Sequence, residues 1–160
     1  MKKTISMIIC FWLTFVCVTS AQTNLSDSST LLEKTLTASL QNEYKAQARY
    51  NAIIQEFDQF IPFVQIKEAE QRHIDAIQRL FEDYNLPIPE NKAQLTINTP
   101  NSLKDAFNQS VRAEINNIEM YEEFIHLDNL PSDVERIMNN NAKASRMNLS
   151  ALERGAGRYR

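Results

Sequence analysis

The chain has 160 residues, enough for one domain, and its 20 acidic residues outweigh 17 basic ones for a formal net charge of −3. That balance offers no basic patch of the kind nucleic acid needs. Both cysteines, Cys10 and Cys17, fall in the first segment, so the rest of the chain has no disulfide and no thiolate ligand.

The first segment, "MKKTISMIICFWLTFVCVTSAQ", has two lysines, an apolar run from Ile5 to Val18 and then small residues. This is the order of a secretory signal peptide over residues 1–21, cut after Ala21. The apolar run, about 14 residues, is short for a membrane span. Losing Lys2 and Lys3 leaves 15 basic against 20 acidic residues, a net charge of −5. The exported chain is expected in the periplasm or outside the cell, with no membrane contact once the leader is cut. Residues 22–34 read as a polar, flexible lead-in and the start of the first helix.

Beyond that point the pattern is helical. The only two glycines are Gly155 and Gly157, which argues against a hairpin-rich β-fold and for long helices with short links. Four segments repeat apolar residues every three or four positions. The first spans Thr30 to Asp58, with the stripe Leu32, Leu36, Leu40, Glu43, Gln47, Tyr50, Ile54, Phe57. The second spans Pro62 to Asn85, with Phe63, Ile66, Glu70, His73, Ile77, Leu80, Tyr84. The third spans Ser102 to Asp128, with Leu103, Phe107, Ser110, Glu114, Asn117, Tyr121, Phe124. The fourth spans Asp133 to Arg154, with Val134, Met138, Asn141, Ser145, Asn148, Leu152. The run Ser132–Glu135 reads as a capping box at its start, and Gly155 as its end. Residues 155–160 form a tail.

Residues 59–61 and 129–132 are short links, which pair helix 1 with helix 2 and helix 3 with helix 4. The link "LPIPENKAQLTINTPN" between helices 2 and 3 can reach roughly 50 Å. Helix 2 is roughly 36 Å long, so this link can run the full length of the bundle. The expected fold is all-α, a four-helix bundle with a long crossover between helices 2 and 3, the alternative being a plain up-down bundle with a slack loop.

Each stripe is apolar at its ends and polar in its middle. Unpaired buried carboxylates are costly and are normally neutralised, paired or bound to metal. Glutamates at mid-stripe on three helices, with a histidine beside one, are the pattern of a carboxylate-bridged metal site. Carboxylate and imidazole donors suit iron, manganese or zinc better than copper(I) or an iron–sulfur cluster. Counted from the first link, Glu43 lies one to two turns off the level of Glu70 and His73, an offset of roughly 6–10 Å. By that count Gln47 is more level with His73. Tyr50 and Tyr121 read as core aromatics within reach of a carboxylate, and His126 as a surface residue at a helix end.

The stretches "ASLQNEYKAQARYNAIIQEF", "PFVQIKEAEQRHIDAIQRLFEDYNLPIPEN" and "RAEINNIEMYEEF" resemble the ferritin-like superfamily. Within it the chain is most similar to a bacterial family known as domain of unknown function 2202. The resemblance covers residues 35–154 and implies a ferritin-like bundle with Glu43, Glu70, His73 and Glu114 as metal ligands. It implies iron or manganese, as one ion or two, and the handling of oxygen or peroxide. Helix 4 departs from the family, which commonly has a histidine where this chain has Asn148. Ser145 and Asn148 are poor ligands, and Asn148 suits a hydrogen bond to a core carboxylate. Three readings stay open: a full two-metal site, a reduced one-metal site, and a non-enzymatic bundle that keeps a polar core for packing or partner binding. The expected partners are the metal ion and a second copy of the chain in a homodimer.

Overall fold

The computed structural model describes residues 18–58 and 61–159, with side chains from residue 28 onward. Most of the expected leader, residues 1–17, lies outside them. Four helices account for most of the described chain: α1 Val18–Phe57, α2 Phe63–Asp83, α3 Leu103–Ile125 and α4 Ser132–Ala156. Two single 3₁₀ turns, Ala93–Leu95 and Gly157–Tyr159, complete it. No strand occurs among the described residues. The fold is all-α, as the periodicity predicts, and no described helix is long and apolar enough to cross a membrane.

No glycine or proline interrupts α1, so its backbone stays helical well ahead of the expected Thr30 start. Left-handed residues at the three inter-helix turns are not glycines: Asp58 has φ 47°, Asn85 52° and Asn129 65°. Aspartate and asparagine tolerate this region because their short polar side chains bond locally.

Two expectations about α4 are corrected. Ser132 does not cap the helix. Pro131 holds the capping position with extended ψ of 142°, and no side chain caps the end. Ser132 is therefore already inside the first turn. Nor does Gly155 end the helix, which continues to Ala156. Gly155 is buried because the Phe107 ring occupies its side-chain space: an added Cβ would lie 2.2 Å from Phe107 Cε1.

Two apolar clusters fill the ends of the bundle. One joins Leu36 and Leu40 of α1, Leu80 and Phe81 of α2, Tyr121 of α3, and Val134 and Met138 of α4. The other joins Tyr50 and Ile53 of α1, Phe63 and Ile66 of α2, Phe107 of α3 and Leu152 of α4. The carboxyl ends of α2 and α3 thus share the first cluster and their amino ends share the second. The two helices run parallel, and the link between them must travel the length of the bundle. That link rests on α1 near the first end, where Ala93 is buried. Between the two clusters lies a buried layer of polar side chains drawn from all four helices.

Candidate metal centre

The polar layer is level because α2 begins part-way down α1. The Phe63 ring packs beside Tyr50, centroids 6.2 Å apart. Glu43 lies seven residues (50 − 43) before Tyr50, and Glu70 seven residues (70 − 63) after Phe63. Both steps are about two helical turns towards the same end, so the two carboxylates share a level. The expected offset between Glu43 and Glu70 is therefore absent, because Phe63 at the start of α2 lies beside Tyr50 and not beside the end of α1. Gln47 does not join the layer. It donates to Gln71 at 2.6 Å on the outer face of the α1–α2 pair.

His73 Nδ1 lies 3.0 Å from Glu70 Oε2 and 3.3 Å from Glu43 Oε2. The three candidate ligand atoms all fall within 4.8 Å of one another. Both carboxylates are fully buried, and His73 is 7% exposed. The remaining oxygens are held from across the bundle. Tyr121 donates its hydroxyl to Glu43 Oε1, and Asn148 donates Nδ2 to Glu70 Oε1 at 3.1 Å. Each carboxylate therefore turns one oxygen to His73 while a neighbour fixes the other, which is how outer partners orient metal ligands.

Glu114, the fourth expected residue, stands outside this triad. Its Oε1 accepts the Tyr50 hydroxyl at 2.5 Å, while its buried Oε2 has no partner among the described residues. It is close enough to Glu70 for the two charges to act on each other. On α4 the side chains are committed to each other's helices. Ser145 Oγ accepts from Asn117 Nδ2 at 3.0 Å, and Asn117 Oδ1 accepts from Asn42 Nδ2 at 2.5 Å. Asn141 Nδ2 donates to the Tyr121 hydroxyl at 3.2 Å. Asn148 makes the carboxylate hydrogen bond that its chemistry predicts. His126 is exposed at the end of α3.

The electrostatics follow from crowding acids in a dry core. Burial and the neighbouring Glu43 charge push the Glu70 carboxyl well above its usual range. Burial raises Glu114 to about 7, against the lowering effect of the Tyr50 hydrogen bond. Burial also acts to raise Glu43, but hydrogen bonds with Glu70 and His73 and the His73 charge hold it below the ordinary value. Without a cation, burial and crowding favour protons on Glu70 and Glu114 and leave Glu43 the readiest of the three to ionise. A divalent ion can take the place of those protons, because buried like charges need either protons or a counter-charge. The lone partnerless oxygen of Glu114 and the hard oxygen–imidazole donor set both fit such an ion.

Residues 33–157 match the family model described as "Uncharacterized protein domain (DUF2202)". The chain belongs to this family. Its fold is also similar to the crystal structure of the hypothetical protein MJ0754 from Methanococcus jannaschii DSM 2661. That likeness has a TM-score of 0.71 at 25% identity, over 79% of this chain and 80% of that one. No curated protein matches the sequence. For this DUF2202 member, the Glu43–Glu70–His73 cluster is a possible metal site built on two adjacent helices.

The two tyrosines, read as core aromatics within reach of a carboxylate, are buried and each hydrogen-bonded to one. A signal for them exists in the sequence. Tyr50 follows Glu43, and Tyr121 follows Glu114, by the same seven residues (50 − 43 and 121 − 114), which keeps each pair on one helix face.

Proposed function

We propose that this protein is an exported ferritin-like bundle that binds a single iron or manganese ion through Glu43, Glu70 and His73. The observation that carries this reading is the convergence of the two carboxylate oxygens on His73 Nδ1 inside a buried layer. The leader-like start of the chain supports export. The ferritin-like assignment rests on the resemblance of its helices and on the full-length crossover.

Glu43 and Glu70 would hold the ion with His73, and Glu114, beside Glu70, would share its charge. Iron or manganese there would supply Lewis acidity and a redox couple for oxygen or peroxide. Tyr121 and Asn148 would orient the carboxylates, and the two apolar clusters would exclude water from above and below. Glu114 would hold or release a proton near neutral pH, next to Glu70. The α4 positions that a second ion would need carry Ser145 and Asn148, which favours one ion over two.

The test is bound metal per chain after anaerobic loading with iron(II) or manganese(II), alongside Glu70→Ala and His73→Ala. One ion per chain, lost in both variants, is the expected result. Two ions would replace this reading with the full two-metal site. No ion under saturating metal would sink both metal readings. It would favour the packing bundle instead, a reading supported by the nearly complete hydrogen bonding of the polar layer.

A further inference from the structure

On the outer seam between α1 and α3, behind Glu114, lies a groove of about 250 Å³ lined by Asn42, Arg49, Gln109, Arg112, Ala113 and Asn116. Helical spacing builds it. Asn42 and Arg49 are seven apart on α1, and positions 109, 112, 113 and 116 fall on one face of α3. Ala113 keeps the floor open. In a chain with more acids than bases, this lining has two arginines, three amides and no carboxylate.

The donors are free. Neither Arg49 nor Arg112 lies within ion-pair distance of an acid among the described residues, whereas Arg146 is paired with Glu122. Asn42 and Gln109 each already commit one of their two amide hydrogens, to Asn117 and Asp105. The side chains of Arg49, Arg112 and Asn116 have no hydrogen-bond partner among the described residues. Arg49 also sits near the core wall, since its charge acts on both Glu114 and Tyr50 behind it. The larger groove on the α1–α2 side differs: it mixes Lys67 with Glu68 among its amides.

We propose that the α1–α3 groove binds a small oxyanion, a phosphate or carboxylate group held between the Arg49 and Arg112 guanidinium groups with Asn116 as a further donor. Guanidinium forks match the paired oxygens of such groups, and charge-assisted bonds of this kind are about twice as strong as neutral ones. The site is separate from the Glu43–Glu70–His73 cluster and does not depend on metal.

The test is isothermal titration of the metal-free protein with inorganic phosphate, and separately with citrate, against chloride at matched ionic strength. Arg49→Gln and Arg112→Gln are measured alongside, with Arg146→Gln as a surface-charge control. Saturable binding of either anion, weakened about tenfold or more in each groove variant and unchanged in Arg146→Gln, is the expected result. The anion that binds identifies the source. The proposal is overturned if neither anion saturates, if binding merely follows ionic strength, if Arg146→Gln weakens it equally, or if it survives either groove substitution. Arg112 is exposed and Arg49 half-buried, and a thermal melt of each variant checks that the fold is kept.

Discussion

Tyr121 of α3 donates its hydroxyl to Glu43 of α1, and Tyr50 of α1 returns the relation by donating to Glu114 of α3. Each tyrosine serves the glutamate of the other helix, not the one seven residues before it. The exchange ties the two helices together through the polar layer. It also makes the two halves of that layer comparable position by position. Glu43 corresponds to Glu114, and the pair Glu70 and His73 on α2 corresponds to Ser145 and Asn148 on α4. One half carries a carboxylate and an imidazole at these positions, and the other a hydroxyl and an amide.

Removing one hydroxyl should therefore separate the two halves. Tyr121→Phe keeps the ring in its apolar cluster but frees Glu43 Oε1, so metal affinity should fall by about 10- to 100-fold, the usual range for an outer partner of a ligand. Tyr50→Phe frees Glu114 instead and should weaken binding less. Metal titration of both variants, with melts to show that each is folded, checks the ranking. Equal losses would place Glu114 on the same footing as Glu43.

The metal-free protein should lose stability as pH rises from the ordinary glutamate range through neutrality. The sign follows from Glu114. Its folded value of about 7 exceeds the ordinary 4.5, so between those values the folded state binds more proton than the unfolded state, and stability falls with pH. Above about 7 that loss is complete and levels off, at a size on the order of 3 kcal/mol. Glu70, raised by burial and by Glu43, acts in the same direction. Glu43 is held low despite burial, by Glu70 and His73, and contributes stability that disappears on strong acidification. Maximum stability is therefore expected at mildly acid pH. Chemical denaturation across pH checks it, and Glu114→Gln should flatten the slope towards neutrality.

Much of this arrangement was legible before the fold was known. The mid-stripe positions of Glu43, Glu70, His73 and Glu114 mark buried polar groups because helical period alone assigns a face to each residue. The crossover followed from the length of one link. Three features were not legible. Counting residues from the turn put Glu43 off level, since nothing in the sequence tells where Phe63 lands against Tyr50. Gly155 looked like a helix end because its closeness to Phe107 is a tertiary contact. What the sequence left open for the tyrosines was which glutamate each serves, because that pairing crosses between α1 and α3.

Gly155→Ala should be destabilising although alanine is the better helix former. The new methyl would meet Phe107, whose nearest ring carbon lies 2.2 Å from the ideal Cβ. Phe107 is in turn held between Phe63 and Tyr159, with centroids at 4.7 and 5.4 Å, so it has little room to yield. Overpacking of this kind costs about 1–3 kcal/mol. A lowered melting temperature with unchanged metal content is the expected result, because the clash lies in the end cluster and not in the polar layer.

The comparison of halves also predicts a gain. Ser145 and Asn148 are buried and share the three-residue spacing of Glu70 and His73. Their helix faces the layer from the opposite side, with Asn148 already in contact with Glu70. The double variant Ser145→Glu, Asn148→His would place a second carboxylate and imidazole beside Glu114, whose Oε2 has no partner. If the proposed single ion is bound, metal content should then rise from one ion per chain to two. The metal-free double variant should be less stable than the parent by about 1–3 kcal/mol or more, since it buries two further ionisable groups without a full set of partners. Adding metal should reverse that loss. Metal content per chain and melts with and without metal read both effects. An unchanged ion count in a folded double variant would show that α4 lies too far from Glu114 to complete a second site.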